Sequence, residues 1–253
     1  MIAPLMGQVV MAHFGWRHIF TVFAIVAAIS AVWFFSRQKE TLPRANRVKF
    51  SLRQFGRSVK WLIQQPAVMG PAVGMGFIFG AFLAYLSGSQ TIFQDIYDTG
   101  EYFPLLFAML AFAIGAASLF NGLMVVRLGM LKLVSFALIM TVVFGVLLTA
   151  ISIMYAGIPP LWLFISVMFF GFFFLGVLFG NLNSLAMVPV GHMAGVGAAF
   201  VGSFTSILAV PIATFINIFL SDTIAPIAYG FLLFGSLTYF VVKLGIKYTP
   251  LES

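Results

Sequence analysis

Apolar runs of 17 to 28 residues recur along the whole chain, and they constrain its fold more than any other feature. A helix rises about 1.5 Å per residue, so about 20 apolar residues cross the roughly 30 Å hydrocarbon core of a bilayer. Only 8% of the residues are charged and the mean hydropathy is +1.11, too polar-poor a surface for a domain dissolved in water. The runs are apolar at both odd and even positions, whereas the strands of a transmembrane barrel alternate polar and apolar over about 10 residues. Helices remain, because each satisfies its own backbone N–H and C=O groups. The expected fold class is all-α, a polytopic transmembrane helix bundle.

Hydropathy, with Gly, Pro and charge as punctuation, predicts seven complete spans at 19–35, 67–90, 103–126, 133–155, 161–188, 196–220 and 225–244. Ahead of them, residues 2–13 reach only about 18 Å as helix, short of a crossing. This piece is either a re-entrant or signal-like segment, or the outer half of a helix whose beginning is missing. No basic stretch precedes it and no small-residue cleavage site follows, which favours the truncated helix.

The formal charge of +7 is an orientation signal. Eight of the thirteen Lys and Arg residues lie in one stretch: Arg37, Lys39, Arg44, Arg47, Lys49, Arg53, Arg57 and Lys60. With that stretch in the cytoplasm and sides alternating from there, Arg127, Lys132, Lys243 and Lys247 join it, giving twelve basic residues inside against Arg17 outside. Asp95, Asp98, Glu101 and Asp222 fall outside. Such a bias places the C-terminus in the cytoplasm and gives no support to nucleic-acid binding. The basic stretch divides the chain into 1–35, a loop 36–66, a bundle 67–247 and a tail 248–253. Within the loop, 51–65 reads as an amphipathic helix. Leu52, Phe55, Val59, Leu62 and Ile63 share one face, Arg53, Arg57 and Lys60 another, Ser51 and Gln54 fit a capping box, and Pro66 ends it. It suits a headgroup surface with Trp61 at the boundary, or a regulatory partner.

A solute carrier needs polar groups at membrane depth, small residues where helices approach, and Gly or Pro where they bend. In the span 67–90, Gly76, Gly80, Ala84 and Gly88 form a small face. About 200° around the helix, Ile78, Phe82, Tyr85 and Ser89 form a bulky face that either looks into a cavity or, for Tyr85, marks the membrane interface. The span 161–188 carries Gly171, Gly176 and Gly180 and ends in Asn181, Asn183 and Ser184. Buried amides need partners, so these residues serve helix contact or substrate contact. In the span 196–220, Ser203, Ser206, Thr214 and Asn217 share one stripe, with Pro211 near the middle to kink the helix. That stripe is the best candidate for a cavity wall.

No acidic, basic or His residue sits at the centre of a complete span. His13, His18 and His192 lack metal-ligand spacing, cysteine is absent, and no glycine cluster carries a phosphate-binding Gly-Lys-Ser/Thr triplet. Neither a metal, a cofactor nor an enzymatic constellation is expected.

Ala3-Pro4-Leu5-Met6-Gly7, followed by Gly15-Trp16-Arg17-His18-Ile19-Phe20, resembles the end of helix five and start of helix six in the major facilitator superfamily, particularly its Bcr/CflA-type drug:proton antiporters. Asn121-Gly122-Leu123-Met124-Val125-Val126-Arg127-Leu128-Gly129 is similar to the loop between helices eight and nine, the second copy of the gating motif. Residues 189–198 resemble the turn from helix ten into helix eleven. This chain departs from the pattern at Ala3, Gln8, Met130 and Leu131. The resemblance implies helices five to twelve of a twelve-helix transporter, seven complete and the first truncated, ending in a six-helix half built from inverted three-helix repeats. It implies conformational roles for Pro4, Gly7, Asn121, Gly122, Arg127, Gly129 and Pro211, and export of drugs or other small molecules in exchange for protons across a bacterial inner membrane. The family's coupling acid lies in the first four helices, so the chain alone is expected not to pump. It either needs those missing helices or is a non-transporting scaffold or split-transporter half.

Overall fold

The computed structural model describes residues 7, 10, 11, 13–38 and 51–249, apart from the side chain of His192. Gly7 is helical, whereas Pro4 and most of the 2–13 segment lie outside the described residues. The elements are α1 (Arg17–Arg37), α2 (Leu52–Ile63), α3 (Pro66–Gln90) continued by a π-helical turn Thr91–Ile96, α4 (Phe103–Leu128), α5 (Met130–Met154), α6 (Leu161–Met187) continued by a 3-10 turn Val188–Met193, α7 (Ala194–Ile218) and α8 (Ala225–Ile246). All but α2 are long and apolar enough to cross a membrane, matching the seven predicted spans. The largest displacement of a helix start is at α5, which begins at Met130 instead of 133. Gly129, at φ +79°, both ends α4 and starts α5, so Lys132 sits inside the first turn. A basic residue read as loop can belong to a spanning helix because its long stem carries the charge out to the interface.

The chain separates into two compact units, 1–55 and 56–253. In the first, the Gly15-Trp16-Arg17 motif is a turn: Gly15 adopts φ +82° and the Arg17 guanidinium lies 4.6 Å over the Trp16 ring, at the start of α1. The Gln54 amide donates to the Ser51 hydroxyl at 3.4 Å, one arm of the predicted capping box.

The second unit is the six-helix bundle α3–α8. The apolar face of α2 ends inside protein, since Leu62 is fully buried among Val68, Ala72, Ala186, Val190 and Val201. Of the bundle helices consecutive in sequence, only α5 and α6 pack extensively on each other. Instead α3 packs chiefly on α7 and α8, while α6 packs on α4 and α5; α3 meets α6 and α5 meets α8 between them. Exchanging α3 with α6, α4 with α7 and α5 with α8 leaves that pattern unchanged. The two triplets start from opposite ends of the bundle, so they are inverted repeats that interleave.

Small residues set how closely they interleave. A Cβ built at Gly70 would lie 2.6 Å from the Gly245 Cα, and one at Gly245 2.8 Å from the Gly70 Cα, so α3 and α8 meet backbone to backbone. Thr238 reinforces this contact by donating to the Gly74 carbonyl at 3.0 Å. Charge sorts by end: Arg127, Lys132, Lys243 and Lys247 sit at one, and Asp95, Asp98, Glu101 and Asp222 at the other. At the acidic end the turns are tied together. Tyr97 donates to the Pro159 carbonyl at 2.9 Å and stacks on Phe164, and the Ile224 amide donates to the Gly157 carbonyl at 2.9 Å. Burial pushes the Tyr97 phenol above the usual tyrosine range, so it remains a neutral donor there.

Candidate functional site

Along α7, Ser203, Ser206 and Thr214 are exposed and Asn217 is half-buried. The Ser206 hydroxyl donates to the Gly202 carbonyl at 3.0 Å and Thr214 to Val210 at 2.9 Å, so each satisfies its proton within its own helix and keeps its lone pairs for another molecule. Pro211 lies inside the helix and cannot donate to the Ile207 carbonyl one turn back, which weakens α7 in the middle of the stripe.

The small face of α3 brings α7 against it. Cβ atoms at Gly76 and Gly80 would come within 2.9 Å of Leu208 and 2.7 Å of Ile212. Toward the acidic end a groove of about 510 Å³ runs along this contact, lined by Leu83, Ser87, Val210, Ala213, Thr214, Asn217 and Ile218. The Asn217 amide nitrogen donates to the Ser87 hydroxyl at 2.7 Å, and Ser87 donates onward to the Leu83 carbonyl at 2.7 Å. The Asn217 Oδ1 is buried without a donor, beside Gly88. The groove therefore offers apolar walls with hydroxyl and amide groups at one edge, while the unpaired Asn217 acceptor lies buried beneath that edge.

The other predicted residues divide. Asn181 is 3% exposed; its amide nitrogen donates to the Asn121 Oδ1 and to the Val177 carbonyl. Of the two roles left open for Asn181, the geometry gives helix contact: it joins α6 to α4 inside the bundle. Asn183, two residues on, is exposed, as are Gly122, Arg127 and Gly129, while Asn121 is half-buried. Phe82, Tyr85 and Ser89 do not face an open cavity. Tyr85 meets Phe172 edge-on at 4.8 Å and stacks at 6.2 Å on Phe107; Phe82 meets Phe172 at 5.2 Å. Ser89 donates to the Leu86 carbonyl. Only a void of about 40 Å³ is left beside Phe82 and Tyr85, room for a single water. The burial has a simple cause: α3 is apolar on every side, and such a helix is covered all round, here by α7 and α8 on the small face and by α6 and the Phe107 side of α4 on the bulky one. The same burial removes Tyr85 from the membrane interface.

Ser87 was missed as a candidate, although it borders Gly88 on the small face, and a hydroxyl beside a close-packing stripe is placed to reach the neighbouring helix.

The Major Facilitator Superfamily model matches residues 1–214. Among curated relatives, the uncharacterized MFS-type transporter YdgK of Bacillus subtilis is 28% identical over 95% of this chain and 60% of its own length. The bicyclomycin resistance protein homolog of Haemophilus influenzae is 24% identical over 90% of this chain and 57% of its own. The multidrug transporter MdfA of Escherichia coli O6:H1 is 27% identical over 68% of this chain and 43% of its own. The chain thus spans about 60% or less of the length of these relatives. Order of motifs, interleaved inverted repeats and the match over residues 1–214 agree: the chain belongs to the Major Facilitator Superfamily, as an integral multi-pass membrane protein.

Proposed function

We propose that this chain forms part of a proton-driven exporter of drugs or other small molecules in the bacterial inner membrane, with its basic end and C-terminus in the cytoplasm. The groove between α3 and α7 carries the reading: the polar stripe Ser203, Ser206, Thr214 and Asn217 stays open on the bundle surface, and Asn217 holds a buried acceptor without a donor at its edge. Superfamily membership supports carriage of a solute over enzymatic turnover, and the printed names of two relatives, a bicyclomycin resistance protein homolog and a multidrug transporter, support drugs as the solute. Gly7, Asn121, Gly122, Arg127, Gly129 and Pro211 serve the conformational change, Gly129 through its left-handed turn and Pro211 through its missing hydrogen bond. The buried Phe82–Tyr85–Ser89 face acts only after rearrangement, while Asn183 is already exposed.

Proton coupling across a membrane requires an ionisable group at depth. The six acids of this sequence, Glu40, Asp95, Asp98, Glu101, Asp222 and Glu252, all fall outside the centres of its spans. The 253 residues alone therefore bind solute without pumping it. Reconstitution into liposomes with an imposed pH gradient and a fluorescent lipophilic drug tests both halves of the reading. The expected result is saturable binding, weakened by Thr214→Val and Asn217→Ala, with no accumulation driven by the gradient. Gradient-driven uptake overturns the coupling argument, and binding indifferent to both substitutions overturns the groove.

A further inference from the structure

A second groove, of about 360 Å³, runs between α5 and α8, lined by Ile139, Val142, Val143, Ser236, Tyr239 and Phe240. It opens on the apolar outside of the bundle, where Ile139, Val143 and Phe240 are exposed together with Phe136, Leu233 and Leu244. In a multi-pass membrane protein, an apolar groove on an apolar outer face is filled by a chain of matching chemistry.

What lies at its mouth selects the occupant. Ser135 precedes Ile139 by one turn on α5, and Lys243 follows Tyr239 by one turn on α8, both toward the basic end. The Lys243 ammonium donates to the Ser135 hydroxyl at 3.0 Å, so the two are held together across the top of the groove. A serine is a neutral partner and leaves the lysine charge unbalanced. Among the described residues no carboxylate lies at this end: Asp95, Asp98, Glu101 and Asp222 are at the opposite one. Arg127, Lys132 and Lys247 add positive charge on the same rim. Two donors above an apolar trough, in a positive field, match a phosphodiester headgroup with its acyl chain below.

We infer that the α5/α8 groove binds an anionic phospholipid, with the phosphate on Lys243 and Ser135 and an acyl chain lying along Ile139, Val143 and Phe240. This site is independent of the solute groove, which lies between α3 and α7, and it exists whether or not the chain transports.

Native mass spectrometry of the full chain, released from mild detergent with added phosphatidylglycerol or phosphatidylcholine, tests it. The expected result is one retained phosphatidylglycerol, held about five-fold more tightly than phosphatidylcholine, with that preference lost in Lys243→Ala and reduced in Ser135→Ala. Val143→Trp, which fills the trough, removes retention of both lipids, while Asp222→Asn, an exposed position at the opposite end of the bundle, leaves it unchanged. Helical content by circular dichroism confirms that each variant is folded. Equal retention of the two lipids by the parent chain, or unchanged retention in both Lys243→Ala and Val143→Trp, overturns the assignment.

Discussion

The α3/α7 seam and the α6/α4 seam are counterparts under the exchange of the two inverted repeats, yet one leaves its asparagine half-exposed beside a groove and the other buries it. Each is drawn together by glycines on the first helix of its repeat, and each carries an asparagine bond near the far end of that helix: Asn217 to Ser87 in one, Asn181 to Asn121 in the other. In the α6/α4 seam the amide is buried and Gly176 lies against the Ile114 backbone and the Ala117 Cβ. In the α3/α7 seam the amide is half-exposed beside a 510 Å³ groove, and an acceptor oxygen is left over. Symmetry supplies two equivalent seams, and side-chain choice decides which buries its asparagine and which leaves it half-exposed.

The sharpest contrast is at the glycines. Gly70→Ala forces a Cβ into the Gly245 backbone and Gly176→Ala forces one onto Ala117, and neither neighbour can rotate away; each is expected to cost about 3 kcal/mol or prevent a stable bundle. Gly180→Ala, with open space around it, is expected to cost nothing. Melting temperature in detergent separates the cases, and an equal loss at Gly176 and Gly180 would remove the distinction between packed and open helix faces.

Next come the asparagines. Asn181→Ala leaves the Asn121 amide oxygen without its buried partner and is expected to cost about 1–3 kcal/mol, whereas Asn217→Ala, in a half-exposed seam, is expected to cost under about 1 kcal/mol. Equal costs would make the seams equivalent. The smallest effect is expected at Ser87→Ala. Asn217 can then turn its amide to the groove, so stability falls by about 0.5 kcal/mol while drug affinity changes more than the melting temperature does.

Much of the architecture was legible in the sequence because span length, charge sidedness and small-residue spacing are each set by the bilayer and not by partner side chains. The seven spans and the close-packing face of Gly76, Gly80 and Gly88 are of this kind. The exposed polar stripe on α7 was legible for a related reason: polar groups three and eight residues apart line one side of an apolar helix, where they need water, protein or ligand. What escaped was pairing between helices. Whether Asn181 meets a substrate or Asn121, and whether Tyr85 faces a cavity or Phe172, depends on which helices become neighbours, and the interleaving of the repeats packs α6 chiefly on α4 and α5 and only slightly on α7. Ser87 and Lys243 were hidden likewise, since each gains its meaning from a residue more than a hundred positions away.

The most direct test uses the lack of native cysteine, which makes single-cysteine labelling free of background. With a hydrophilic maleimide added to membranes, Thr214→Cys and Ser206→Cys are expected to react readily and to be protected by a bound lipophilic drug, while Asn181→Cys stays unreactive. Rapid labelling at Asn181→Cys with none at Thr214→Cys and Ser206→Cys would place the water-filled path in the α6/α4 seam and contradict the account.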